Sequence, residues 1–212
     1  GKATPPFIHS STLTGTSPSP LATTLRVMDW IVDQSPDTRL FLYEGWAEMS
    51  SVTGGFPPSP DGYQAYVDVN AGPNHIWFED LIASINAARP ALQPRLIPVA
   101  SVLASLLTDD GLLADLPATA LYVDGEPHGT PSLYFLAALV TYAALYEAPP
   151  PPGFRPPPSL HPDIVAQYPA IATAVWQAMP DTPTELVARE TLRTAVASDP
   201  LPSRQPVALP PK

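Results

Sequence analysis

Asp124 and His128 stand four residues apart in the segment Asp124-Gly125-Glu126-Pro127-His128, just ahead of an apolar stretch that begins near Pro131. In such a turn a carboxylate can orient an imidazole and stabilise its protonated form. The other ring nitrogen is then left to take a proton from a hydroxyl. In isolation a D-x-x-x-H pattern also describes a polar turn whose His caps the next helix. Glu126 is a second acid that could serve the same ring. Candidate hydroxyls lie at Ser10 and Ser11, in Phe7-Ile8-His9-Ser10-Ser11, where His9 reads as filling a strand end. A third cluster is Glu44-Gly45-Trp46. Gly45, Trp46 and Tyr63 are candidates for lining a substrate pocket, although a Trp so placed is more often a packing residue. Two His–Asp pairs, His75 with Asp80 and His161 with Asp163, lack a third or fourth ligand at suitable spacing, so no metal is expected. Thr53-Gly54-Gly55 lacks the flanking strand and helix of a phosphate loop. No cofactor is expected either.

These groups do chemistry only if secondary structure gathers them. Arg39–Tyr43 and Arg95–Ala100 read as strands, as do Pro6–Ser10 and Ala118–Val123. Leu21, Leu25, Met28 and Val32 form one stripe of a helix that runs to about Asp33. Asn74–Ala88, with Trp77, Leu81 and Ile85 on one side, predicts a second helix, and Ser101–Leu107 a short one. Pro131–Tyr146 is apolar nearly all round and is expected to be buried. Residues 47–73, rich in Gly, Pro, Ser and Asp, read as a long loop. Ser19-Pro20, Thr130-Pro131 and Thr182-Pro183 each set a capping hydroxyl before Pro at a helix start, and Thr182 with Glu185 adds a capping box. Single strands alternating with helices predict a parallel sheet, with ligands bound beyond the carboxyl ends of its strands.

The composition narrows the function. Ten Lys+Arg against twenty Asp+Glu give a net charge of −10. A duplex-binding surface needs clustered cations, so neither nucleic acid nor an anionic membrane is an expected partner. With no Cys, thiol catalysis and disulfides are excluded. That lack is compatible with a secreted or periplasmic location without arguing for it. No stretch reaches the roughly 18 apolar residues of a membrane span. The opening Gly-Lys suggests a processed, tagged or truncated chain.

The order RLIPVA, SVLASLL, then LYVDGEPHGTPSLYFLAALVTYAAL resembles the closing part of SGNH/GDSL hydrolases, where an Asp and His pair precedes a helix rich in Leu, Ala and Tyr. RLFLYEGW with HIWFEDLIASINAARP resembles the preceding βα unit of that family. The resemblance covers residues 36–147. It implies a three-layer α/β/α fold with a mostly parallel sheet, flavodoxin-like, and a serine esterase activity, with Asp124 and His128 as acid and base. The family spaces that pair as D-x-x-H, one residue closer, which leaves Glu126 open as the orienting acid. Laid on the family's Gly-Asp-Ser block, Ser11 falls on the nucleophile and His9 replaces the Gly. In a competing alignment Phe7–Ser11 matches the family's third strand, and the nucleophile is missing. No Gly-x-Asn-Asp block is present, so backbone N–H groups near Ser11 remain as oxyanion donors.

The expected organisation is an SGNH-like α/β domain over 1–148, a Pro-rich linker over 149–162, a C-terminal helical extension over 163–198 and a Pro-rich tail over 199–212. The first helix of that extension would present Ile164, Tyr168, Ile171, Val175 and Met179 on one face. Two functions fit. One is a hydrolase of a small-molecule or carbohydrate ester, an O-acetyl or short acyl group, acting through an acyl-enzyme. The other is a non-catalytic or incomplete SGNH-like module, with a protein partner or a second copy covering a vacant sheet edge.

Overall fold

The computed structural model describes residues 19–126 and 128–180. In chain order the elements are α1 (Pro20–Gln34), β1 (Phe41–Tyr43), α2 (Met49–Thr53), α3 (Pro60–Val69), a π turn (Asn70–Asn74), α4 (His75–Ala88), β2 (Arg95–Ile97), α5 (Val99–Leu107), α6 (Ala118–Leu121), α7 (Pro131–Tyr146) and α8 (Pro162–Ala178). The class is mixed α/β. Strands β1 and β2 pair in parallel, with Leu42 opposite Leu96.

Side chains alternate across a strand, and β1 uses both faces. Leu40 and Leu42 join a cluster with Met28 of α1 and with Leu81 and Ile85 of α4. Phe41 packs instead on the larger cluster that holds Ile97, much of α5 and α7, and the inner face of α8. Ile164, Tyr168, Ile171 and Val175 all lie in that cluster, so α8 shares one core with α5 and α7. The segment 149–162 runs against the same helices. Phe154 stacks on Phe135 at 6.2 Å, Tyr168 Oη donates to the Pro151 carbonyl at 2.8 Å, and Leu160 is buried.

The caps follow the sequence. Ser19 Oγ accepts from Ala22 N, and Thr130 Oγ1 from Leu133 N, each ahead of a Pro in the first turn. At that position the missing Pro N–H leaves nothing unpaired. The third such cap, Thr182-Pro183, lies outside the described residues, as do the expected strand Pro6–Ser10, the second C-terminal helix and the tail.

Three expectations need correction. Residues 47–73 are not a loop but hold α2, α3 and the π turn. Ser59-Pro60 starts α3 with the same cap geometry as Ser19-Pro20, Ser59 Oγ accepting from Gly62 N. Asn70-Ala71-Gly72-Pro73 looks like a helix breaker, yet the chain widens into a π turn that takes Pro73 inside and continues as α4. A Pro cannot donate to the ladder, and widening one turn is a way to keep the helix going. Ala118–Val123 is not a strand. Its first four residues form the single turn α6, and only Tyr122 finds a bridge, antiparallel, to Gly129. Helix α7 is not buried all round: Tyr134 and Tyr146 are exposed on its outer face. A phenol gives apolar area inside a polar tip, so a run of Tyr overstates burial.

Candidate functional site

The turn that holds Asp124 and His128 is closed by backbone bonds on both sides. Val123 N donates to the His128 carbonyl at 3.1 Å, and Thr130 N to the Leu121 carbonyl at 2.8 Å. Within it both oxygens of Asp124 face Nδ1 of His128, Oδ1 at 3.1 Å and Oδ2 at 3.0 Å. Asp124 Oδ1 also accepts from Glu126 N at 3.0 Å, which fixes the carboxylate from behind. Glu126 meets His128 through its main chain, its carbonyl accepting from His128 N at 2.8 Å. Of the two acids, Asp124 is therefore the one on the ring. The contact assigns the proton to Nδ1 in the neutral imidazole and leaves Nε2 as an acceptor. The His128 side chain is 67% exposed and that of Asp124 46%. The ring is open to solvent.

Two glycines let this turn sit where it does. A Cβ on Gly125 would collide with Ser50 Oγ, because Ser50 N donates to the Gly125 carbonyl at 2.9 Å. A Cβ on Gly129 would come within 2.8 Å of Leu133 Cδ2. Gly129 N donates to Tyr134 Oη at 3.0 Å, and Gly129 also bridges Tyr122. Trp46 lies against both of those tyrosines, edge-on to Tyr122 at 6.4 Å and tilted on Tyr134 at 6.2 Å. Trp46 is thus partly buried against the residues that pin the end of the turn.

Trp46 is itself held by the loop 44–47. Glu44 has no exposed surface. Its Oε1 accepts from Ser101 N at 3.1 Å, and its Oε2 from Ser101 Oγ at 3.1 Å, with His75 Nδ1 also 3.1 Å from Oε2. Pro98 gives α5 no side-chain cap, so Glu44 supplies it from another element, where an acid also suits the helix dipole. The His75 imidazole is held above its ordinary pKa, chiefly by the Glu44 hydrogen bond and against its own partial burial. Downstream, the Gly45 carbonyl accepts from Asn74 Nδ2 at 2.9 Å, Ala47 N donates to Asn70 Oδ1 at 2.8 Å, and Tyr66 Oη donates to the Ala47 carbonyl at 2.7 Å. Asn70, Asn74 and His75 reach one loop because the π turn sets i, i+4 and i+5 on one side.

Tyr63 lies beneath this region rather than at an open surface. Its phenol oxygen is buried with no hydrogen-bond partner among the described residues, and burial, then Tyr66, pushes its pKa well up. Ser10 and Ser11 lie outside the described residues, and so does Pro127 within the turn. The two His–Asp pairs have other partners or roles. His75 faces Glu44 and Glu79 rather than Asp80, and His161 Nδ1 accepts from Asp163 N at 3.4 Å as the cap of α8. Among the described residues no group of three or more His, Cys, Asp or Glu is placed to hold a metal ion. No described helix is long and apolar enough to cross a membrane.

Sequence reasoning named Glu44, Trp46, Asp124 and His128 as candidates. It missed Ser50, Ser101, Asn70, Asn74 and Tyr134 as their supports. Only a cap signal could have found Ser101: a helix start with Pro98 before it and no capping side chain of its own needs an acid from elsewhere. No protein-family model, curated protein or solved structure matches the chain.

Proposed function

We propose that this chain is a serine esterase of SGNH/GDSL type that cleaves an ester, an O-acetyl or short acyl group on a small molecule or carbohydrate. The observation that carries this is the Asp124 carboxylate on Nδ1 of an exposed His128. Alternate residues of β1 packing into two different cores support the three-layer arrangement such an enzyme uses.

Ser11 attacks the ester carbonyl carbon while its proton passes to His128 Nε2. Asp124 stabilises the imidazolium and keeps the tautomer correct. Backbone N–H groups beside Ser11 take the negative charge on the carbonyl oxygen. The intermediate collapses, the alkoxide leaves with the proton from His128, and the acyl group stays on Ser11. Water then attacks the acyl-enzyme, giving its proton to His128, and the acid departs as Ser11 recovers a proton. Neither metal nor cofactor takes part in these steps.

Hydrolysis of p-nitrophenyl acetate by the full chain, compared with His128→Ala, tests this. Turnover that falls to background in the variant is the expected result. Undiminished turnover overturns the assignment. A second function, a non-catalytic module with a partner on its sheet edge, draws support from β1 having a single strand partner among the described residues, with Tyr43 exposed beside it. Absence of turnover in the wild-type protein favours it.

A further inference from the structure

We propose that Glu44 and His75 are positioning residues, a pH-dependent latch on the loop 44–47 that sets Trp46, and through it the end of the turn carrying His128. The influence on hydrolysis rests on the esterase function proposed above; the latch itself does not.

A fully buried acid is costly unless each oxygen is satisfied. Glu44 meets that condition with three donors from two elements, Ser101 N and Oγ at the start of α5 and the imidazole of His75 at the start of α4. A carboxyl group committed this fully fixes the backbone beside it. The next residues are Gly45, Trp46 and Ala47. Trp46 presses on Tyr122 and Tyr134; Tyr134 Oη accepts from Gly129 N, the neighbour of His128, and Tyr122 lies opposite Gly129 in the bridge that Val123 N and Thr130 N close. A continuous set of contacts therefore runs from His75 to the dyad.

His75 is the member of the set that titrates near neutrality. Its surroundings favour the charged form. Glu44 lies on one ring nitrogen, and Glu79, on the same helix, lies 3.4 Å from the other. The facing helix α5 carries Ser101 and no charged residue, and the π turn carries none. The raised pKa agrees with this geometry. The sign follows. A group whose folded pKa exceeds its unfolded value adds stability that is complete below the unfolded value of about 6.5, and that fades as pH rises through the folded value. The latch is tight in mild acid and slackens at higher pH.

The test is an NMR titration of the full chain that follows the His75 ring together with the Gly45, Trp46 and Gly129 amides. His75→Gln assigns the ring signal. The expected result is one shared midpoint, above that of a free imidazole. Glu44→Gln should cost His75 about tenfold in proton affinity and abolish the shared response of the amides. Glu79→Gln, which removes the exposed carboxylate and leaves the buried Glu44 contact in place, should keep that response and is the variant to use if Glu44→Gln does not fold. Amides that stay flat through the His75 titration overturn the latch, as does a His75 midpoint unmoved in a folded Glu44→Gln. Amides that titrate in a protein that hydrolyses no ester leave the latch standing and refute the esterase. If esters are hydrolysed, the latch predicts that the pH profile shifts in Glu79→Gln.

Discussion

Asp124 meets Nδ1 of His128, four positions on, with both carboxylate oxygens, at 3.1 and 3.0 Å. The pair is exposed, so its electrostatic worth to stability is small. Its value lies in fixing which ring nitrogen carries the proton. Asp124→Asn should leave thermal unfolding nearly unchanged and lower kcat for p-nitrophenyl acetate by about 10²-fold or more, since an amide can hold the wrong tautomer. A kcat within a factor of two of wild type would show that Asp124 does not orient the base.

Gly125 is a packing requirement of the same turn. Its missing side chain makes room for Ser50 Oγ. Gly125→Ala should cost about 1–3 kcal/mol, the range for forcing atoms into filled space. Adding Ser50→Ala removes the colliding hydroxyl and should return most of that loss. Urea unfolding of the two single variants and the double variant measures the coupling. Strict additivity would mean that the two residues do not share this contact.

Helix α8 shares its core with α5 and α7, and Ile171 has no exposed surface. Ile171→Ala should therefore destabilise the whole unit by about 2–5 kcal/mol, in one cooperative transition. Val27→Ala on the exposed face of α1 should stay within about 0.5 kcal/mol. A separate early transition for α8 in Ile171→Ala would contradict a common core.

Local signals in the sequence carried much of this structure. Ser19 and Thr130, each before a Pro, marked real helix starts, and the stripe through Leu81 and Ile85 marked the inner face of α4. The Asp124–His128 contact was legible because both partners lie in one turn. What was not legible depends on partners far along the chain. Leu121-Tyr122-Val123 has the side chains of a strand, but its backbone partners belong to the local turn that ends at Thr130, and the pairing stops at the single bridge between Tyr122 and Gly129. Ser59-Pro60 carried a readable cap that the Gly and Pro around it obscured. Pro73 signalled a break that a π turn absorbed. Glu44 read as an acid at a strand end, and its burial against Ser101 and His75 was not legible because both partners lie far along the chain. Ser11 stays a proposal because its link to His128 is long-range and lies outside the described residues.

In the proposed mechanism a serine near the start of the chain works with His128. Labelling the full chain with a fluorophosphonate, then intact mass and peptide mapping, tests it most directly. One adduct is expected, on Ser11, and it should be lost in His128→Ala while the variant keeps its fold. No adduct on well-folded wild-type protein, or an adduct that survives in His128→Ala, would contradict it.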